Sequence, residues 1–402
     1  MKSFYKKFSE RFIEGLLMLS SSITTLTVIL IVIFLFKEGL GVFDQKPVEN
    51  GYIIAVNKAN PLNEISSAQI KNLYDQKITR WNEIGGKPDS VFLFRMEDIS
   101  NFYSEDQIGS NFENLPKCLS RVIDSIPNII AFFPEKYLDK NFKGKQLEVE
   151  KITFSQFFTG KEWFPTAQPA AQLGVLPLIL GTLWVSLGAI LLALPLGLAA
   201  AVYMSEIADD RIRRVMKPLI ELLAGIPSVV YGFFGLVIIV PLIQKTFELP
   251  VGETGLAGSI ILGIMALPTI ITISEDAMRN TPRAMKEASL ALGASKWQTI
   301  YKVVVPYSIS GISAGAILGI GRAIGETMAV LMVTGNAAVI PHSILAPVRT
   351  IPATIAAELG ETSNGGLHYK ALFALGCILF LITLFINLSV EYISNRKKHN
   401  QS

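Results

Sequence analysis

Charged residues are scarce in this chain, and so are the side chains that commonly build metal sites. Asp, Glu, Lys and Arg make up 17% of the 402 residues, whereas soluble domains average about a quarter. There are only two cysteines, Cys118 in a polar stretch and Cys377 in an apolar run. This placement argues against a disulfide and against a cysteine-rich metal site. The net charge of +3 gives no signal for nucleic-acid binding.

Sequence motifs for nucleotide binding and for nucleophilic catalysis are also missing. We find no P-loop, no glycine-rich dinucleotide motif and no pattern typical of a catalytic triad. The sequence therefore predicts a protein that is not an enzyme and that binds no cofactor of its own.

Hydrophobic residues, in contrast, make up half of the chain and are concentrated in long runs with few charges. Six runs are long enough for membrane-spanning helices. The first is too long for a signal-peptide core and lacks a small-residue cleavage site, so we expect it to be retained. The runs lie at residues 15–36, 173–203, 220–243, 255–274, 304–334 and 371–391. The sequence thus predicts a polytopic α-helical membrane protein with six transmembrane helices.

The distribution of lysine and arginine predicts how these helices are oriented. Basic residues are abundant in segments 1–14, 204–218, 275–303 and 392–402. The alternate short loops hold only Lys245, Arg349 and Lys370. Because short loops rich in basic residues stay in the cytoplasm, both termini are predicted to be cytoplasmic and the long 37–172 segment to lie outside.

The long outer segment contains a predicted small α/β domain, residues 46–152, which we call the insert domain. Short stretches rich in β-branched and aromatic residues predict strands at 52–57, 90–95, 128–133 and 146–152. Ser66 is predicted to cap a helix, with Gln69 completing a capping box and Ile65 and Ile70 forming a hydrophobic staple. A connecting segment, 153–172, then leads to a predicted five-helix core over 173–391.

Part of the insert domain, residues 65–95, resembles one lobe of the periplasmic phosphate-binding proteins. The matching residues are Asp75, Lys77, Ile78, Trp81, Gly85 and Gly86, with Gln76 in place of the usual glycine. That family follows the strand-ending arginine, here Arg95, with a Ser-Gly-Thr turn that holds an oxyanion. This chain instead has Glu97 and Asp98 before Ser100, without the glycine that a nest of N–H groups needs. A degenerate lobe that packs or docks is therefore favoured over a phosphate site at Arg95 and Ser100.

Between the fourth and fifth apolar runs lies a charged, amphipathic segment, residues 281–303, which we call the elbow. Thr281 is predicted to cap a helix that begins at Pro282 and ends at Gly293. A small, mostly apolar face is formed by Met285, Ala288, Ser289 and Leu292. Ser295 is predicted to cap a second helix that continues into the fifth run. Any amphipathic loop on a membrane surface has this general character.

The elbow resembles the EAA coupling motif of bacterial ABC importer permeases. The resemblance assigns ATPase coupling to Glu287, Ala288, Ser289, Gly293, Trp297 and Pro306, with Ser289 replacing the middle alanine. In that family the elbow fits a groove on a separate ATPase and transmits its closure to the transmembrane helices. The resemblance implies the type I ABC importer permease fold, with ATP used by a partner ATPase and not by this chain.

The fifth apolar run contains two charges, Arg322 and Glu326. Four residues apart on a helix, they would share one face and pair. A charge at membrane depth is costly and faces the bundle interior, a cavity or a partner. A guanidinium fork suits the oxygens of phosphate, and Thr327 can add a hydroxyl. An ion pair that only locks helix packing fits the same residues equally well.

The segment around Arg322 resembles the fifth helix of the C-type permease subunits of phosphate-specific ABC importers. Segments 153–165, 225–235, 319–336 and 349–361 match in order. The resemblance favours a translocation role for Arg322, Glu326 and Thr327 in importing inorganic phosphate by alternating access. It implies a bacterial inner-membrane location, a homologous A-type permease partner, two ATPase subunits and a periplasmic phosphate-binding protein, with lipid around the bundle.

Two other functions stay open. The same machinery can carry another oxyanion, such as sulfate or molybdate. A non-transporting membrane sensor or scaffold that engages the ATPase is the second alternative. The insert domain is larger than that family usually has between its first two helices, and it is predicted to form part of a docking platform for the delivery protein.

Overall fold

A computed structural model of the chain describes residues 2–109 and 111–399, with side chains for 13–109 and 111–392. The predicted terminal segments 1–14 and 392–402 therefore lie largely outside the described side chains. Five described helices are long and apolar enough to cross a membrane, and a bent pair makes a sixth candidate. The first, α1 (Lys2–Leu40), packs against the last helix through its second half, where Phe34 and Phe36 meet Phe373 and Phe380 edge to face.

The insert domain forms a four-stranded sheet with the strand order β3-β4-β1-β5. Its elements are β1 (Tyr52–Val56), β2 (Glu64–Ile65), α2 (Ser67–Tyr74), β3 (Phe92–Arg95), α3 (Glu105–Ile108), α4 (Leu115–Ser125), β4 (Ile129–Pro134), β5 (Lys145–Gln146) and β6 (Glu148–Val149). Strand β4 is antiparallel to β1 and parallel to β3. Strands are thus confirmed within the first three predicted stretches.

The prediction of one continuous strand over residues 146–152 is wrong, because the structure has two short strands there, β5 and β6. The chain changes partner there, because β5 pairs with β1 whereas β6 pairs with β2. The buried side chain of Leu147 lies at the change of partner, and its N–H still donates to Ile54 O at 2.9 Å.

The predicted start of α2 is confirmed in detail. The Ser66 hydroxyl accepts a hydrogen bond from Gln69 N, and the Gln69 side chain accepts one from Ser66 N. Ile65 and Ile70 are both buried in the same apolar cluster. Gln76 adopts a φ of 58°, a left-handed conformation that glycine adopts more readily.

Trp81 packs against one face of the sheet, and replacing it tests how much this side chain stabilises the insert domain. The residue is 2% exposed, and its indole N–H donates to Asn128 O at 2.9 Å. We expect Trp81→Ala to destabilise the insert domain by about 3–5 kcal/mol, because it leaves a cavity and an unpaired carbonyl. Hydrogen exchange of β1 and β4 in the full chain measures the loss. Trp184→Ala, at a half-exposed position in the core, is the control and should leave that protection unchanged.

A short hairpin connects the insert domain to the helical core. After α5 (Phe154–Thr159), strands β7 (Trp163–Phe164) and β8 (Gln172–Leu173) pair antiparallel. The core then comprises α6 (Leu176–Val202), α7 (Asp210–Ala224), α8 (Ser228–Phe234), α9 (Val240–Thr246), α10 (Gly255–Arg279), α11 (Arg283–Ala291), α12 (Lys296–Thr299), α13 (Val305–Tyr307), α14 (Ile309–Gly325), α15 (Met328–Val333), α16 (Ile351–Glu358) and α17 (Leu367–His399).

Helices α6 and α10 form the centre of this core. They pack along each other more extensively than any other pair of described elements. Close approach needs small side chains, since a Cβ on Gly188 would lie 2.4 Å from the Ser259 hydroxyl. That hydroxyl also donates to Val185 O across the interface at 3.2 Å. The two helices therefore form a tightly packed pair.

Two predicted membrane helices are not continuous. The run 220–243 is broken between α7 and α8, where Pro227 lacks a backbone N–H, and the candidate span is Ser228–Thr246. The run 304–334 is interrupted twice. Its first part bends by 69° at Ser308, close behind Pro306, and its helix stops again at Glu326. Hydropathy did not predict these breaks, because the mean hydropathy of each run stays high enough for a membrane helix.

Candidate functional site

Arg322 lies in the last turn before a break in the fifth membrane segment. Helix α14 ends at Gly325, Glu326 is extended with φ −69° and ψ 135°, and α15 begins at Met328. Glycine has a low helix propensity, and a Cβ on Gly321 or Gly325 would meet nothing within 4 Å. The glycines therefore leave open space beside Arg322, and the predicted continuous helix through Glu326 is wrong.

The predicted ion pair between Arg322 and Glu326 is also wrong. Among the described residues, the Arg322 guanidinium forms no salt bridge, although the side chain is half-buried. Glu326 is half-buried too, and it likewise makes no salt bridge with a described residue. A cation at membrane depth without a carboxylate partner is suited to a ligand or a group from another chain.

The helix break opens onto a pocket of about 480 Å³. Its lining residues are Gly325, Thr327, Pro352, Ile355, Ala356, Leu359, Gly360 and Leu379. The walls from α16 and α17 are apolar, and the Thr327 hydroxyl donates to Gly325 O at 3.3 Å. Arg322 stands one helical turn before the break and does not line the pocket itself. The arrangement places a cation close to an open, mostly apolar chamber.

A second arginine near this end of the core is neutralised within the chain. The Glu358 carboxylate pairs with Arg349 Nη1 at 2.9 Å and His368 Nε2 at 2.8 Å, and accepts a hydrogen bond from Trp163 Nε1 at 3.1 Å. Burial by itself would raise the pKa of Glu358, but His368, Trp163 and Arg349 hold it below its usual value. Local sequence patterns did not predict this cluster, because Trp163 is distant in the chain and the other members are spaced beyond the i, i+4 range of helix neighbours.

The elbow has the predicted two-helix form with one shift at its start. Pro282, and not Thr281, is the N-cap residue of its first helix, α11, and no side chain caps this helix end. The Thr281 hydroxyl instead lies 3.2 Å from the Ser308 hydroxyl, at the base of the elbow. The turn at Gly293 is confirmed by a φ of 85°, and Ser295 caps α12 through a capping box with Gln298.

The predicted apolar face of the elbow is exposed. Helix α11 buries none of its residues, and Leu292 is 89% exposed. Trp297 and Met285 are also exposed, as are Glu287 and Ala288. Ser289 joins the two elbow helices through its hydroxyl, 3.0 Å from that of Thr299, whereas Pro306 lies in α13 at the start of the bend. An exposed apolar surface among charged residues is typical of a protein-binding site.

Two donors of the candidate anion site in the insert domain already bond to oxygens within the chain. The Arg95 backbone N–H donates to Asp98 Oδ2 at 2.7 Å, and the guanidinium lies over the Tyr74 ring. The Ser100 hydroxyl donates to Glu97 O at 3.1 Å. These contacts favour the degenerate lobe over a phosphate site.

Calorimetry tests this interpretation directly. We expect titration of the 46–152 fragment with phosphate to show no binding in the micromolar range, because two carboxylates border the only predicted donors. Circular dichroism would verify that the fragment is folded. Micromolar binding that is lost in Arg95→Ala would contradict the expectation.

Comparison with known proteins identifies the class to which this fold belongs. Residues 193–399 match the family described as binding-protein-dependent transport system inner membrane component, and the chain belongs to this family. It is a multi-pass membrane permease subunit with the type I ABC importer fold.

Its relatives make the comparison more specific. The chain is 42% identical to the probable ABC transporter permease protein YqgH of Bacillus subtilis, over 62% of this chain and 81% of that protein. It is 38% identical to the phosphate transport system permease protein PstC of Mesorhizobium japonicum, over 63% and 82%. A solved structure of the MetNI methionine ABC transporter covers 55% of this chain and 96% of its own, with 18% identity and a TM-score of 0.44. The family match begins after the insert domain, so the resemblance of 65–95 stays a prediction.

Proposed function

We propose that this chain is the permease subunit of an ATP-driven importer of inorganic phosphate. The observation that carries the proposal is the half-buried Arg322, which has no carboxylate partner among the described residues and stands at a helix break. Similarity to a phosphate transport permease supports the choice of cargo. Arg349, in contrast, is already paired with Glu358 and has little positive charge to offer.

The proposed assembly places both termini and the elbow in the cytoplasm and the insert domain outside a bacterial inner membrane. The excess of basic residues at the termini and in the elbow supports this orientation. A homologous A-type permease completes the pathway, two ATPase subunits bind and hydrolyse ATP, and a phosphate-binding protein delivers the anion. This chain contributes no cofactor.

Phosphate enters from the delivery protein, and the Arg322 fork holds two of its oxygens. Thr327 adds a hydroxyl once its hydrogen bond to Gly325 opens. Glu326 lies in the extended link without a salt bridge to Arg322, so its proposed role is only to weaken anion binding and let phosphate leave. ATP-driven closure of the ATPase subunits moves the elbow and tilts α10 and α14. This movement changes the side of the membrane to which the site is open.

Uptake by the reconstituted complex tests the proposal. Proteoliposomes holding this chain, its permease partner and the ATPase should accumulate labelled phosphate only with ATP and the binding protein. Excess sulfate or molybdate should not compete. Competition by either anion would favour another oxyanion as cargo. An assembled complex that hydrolyses ATP without any anion uptake would favour the sensor or scaffold.

Deletion of residues 46–150 tests the proposed docking role of the insert domain. We expect a short Gly/Ser linker in their place to raise the KM for phosphate about tenfold, which corresponds to a loss of about 1.4 kcal/mol of docking energy. Uptake at saturating phosphate should be retained. Comparison of KM at equal membrane levels of the two proteins is the measurement, and an unchanged KM would argue against docking.

A further inference from the structure

The elbow helix α11 is held to the rest of the chain by few side-chain contacts. It buries no residue, and the Ser289–Thr299 contact stays within the elbow. Among the described residues, one ion pair links α11 to the membrane span that contains α6: Lys286 Nζ lies 2.6 Å from Glu206 Oε1. The two side chains are only 22% and 11% exposed, so the pair is better shielded than an ordinary surface pair.

Glu206 lies in an unusual turn at the end of α6. Residues Tyr203–Ile207 form a π-helical turn that continues α6, and such turns are frequent at functional positions. The turn is fixed to the core, because Met204 is buried and the Ser205 hydroxyl lies 3.5 Å from Met278 Sδ on α10. A displacement of Glu206 therefore displaces the end of α6 itself.

The other end of α6 reaches the pocket at the helix break. The Thr182 hydroxyl accepts a hydrogen bond from Ile351 N at 2.9 Å, at the start of α16. Gly181 packs so closely on the same segment that a Cβ there would lie 2.2 Å from Arg349 O. Helix α16 supplies Pro352 and Ile355 to the pocket wall. With 27 residues, α6 spans about 40 Å between the elbow and this wall.

We propose that Glu206 is a positioning residue that transmits elbow movement through α6 to α16, by its ion pair with Lys286. The elbow is covalently continuous with α10 on one side and with α13 and α14 on the other, but α6 follows its movement only through non-covalent contacts. Pro195 removes one hydrogen bond within α6, yet α10 packs along the helix and supports it. The inference rests on the proposed function and adds a third moving helix to it.

The test uses the complete complex in proteoliposomes and measures phosphate transported per ATP hydrolysed. Glu206→Gln and Lys286→Met should each keep the ATPase assembled but lower this ratio about fivefold or more, within the range of coupling energies between sites. The exchange variant, Glu206→Lys with Lys286→Glu, should recover most of the ratio. Glu221→Gln, on an exposed residue of α7, is the matched control and should behave like the wild type.

Each alternative has its own result. Unchanged ratios in both single variants would overturn the inference, as would a fall in assembled complex at a constant ratio, which is the mark of a merely structural pair. Failure of the exchange variant to recover the ratio would overturn it too. A wild-type complex that transports no phosphate would overturn the proposed function and this inference with it, whereas the other outcomes leave the proposed function standing.

Discussion

Arg322→Ala is expected to abolish phosphate uptake while the complex still assembles. Truncating one partner of a buried, hydrogen-bonded charge pair costs about 2–5 kcal/mol, so uptake should fall about thirtyfold or more. Assembly should survive, because Arg322 makes no salt bridge with any described residue and its removal leaves no unpaired carboxylate behind. Initial rates of labelled phosphate uptake, normalised to purified complex, provide the measurement.

Two further variants distinguish the possible roles of these arginines. One tests whether the positive charge of Arg322 suffices without its planar guanidinium, and the other tests whether Arg349 serves packing and not transport. Arg322→Lys keeps the charge but loses the planar fork, and it should retain partial uptake with weaker affinity. Arg349→Ala removes the ion-pair partner of Glu358 and should lower the thermal stability of the core. Normal uptake by Arg322→Ala would contradict the translocation role. Loss of assembly in that variant would instead favour a residue that only locks helix packing.

Leu292→Glu in the elbow is expected to prevent binding of the ATPase without unfolding the chain. Leu292 is 89% exposed, so the substitution removes few internal contacts. Burial of the new carboxylate in an apolar groove of the partner costs about 2 kcal/mol or more, which weakens the association about thirtyfold. Co-purification of the ATPase and its stimulated hydrolysis rate are the measurements.

The matched control adds the same charge elsewhere. Phe112→Glu replaces a half-exposed apolar residue of the insert domain, which is proposed to lie on the opposite side of the membrane. ATPase co-purification should be normal for this variant. If Leu292→Glu also retained the ATPase, the exposed elbow face would not be the docking surface.

Local signals in the sequence predicted local features well. The capping box at Ser66, the cap at Ser295 and the turn at Gly293 each depend on residues within three positions of one another, so a single stretch of sequence contains their cause. Arg322 was found for a similar reason, because a charge inside an apolar run is conspicuous. Its partner was wrongly predicted, since the i, i+4 rule assumes a helix that in fact ends at Gly325.

By itself, the sequence determined that this is an α-helical membrane protein with six apolar segments, an elbow and an inserted α/β domain. Hydrophobic run length, charge bias and capping residues act over short distances and need no knowledge of the fold. The tertiary structure alone decided where the helices break, that Arg322 lacks the predicted partner and that Glu358 neutralises Arg349. It also decided that α6 connects Lys286 to α16. Each of these features depends on how whole segments pack against one another, which short stretches of sequence do not specify.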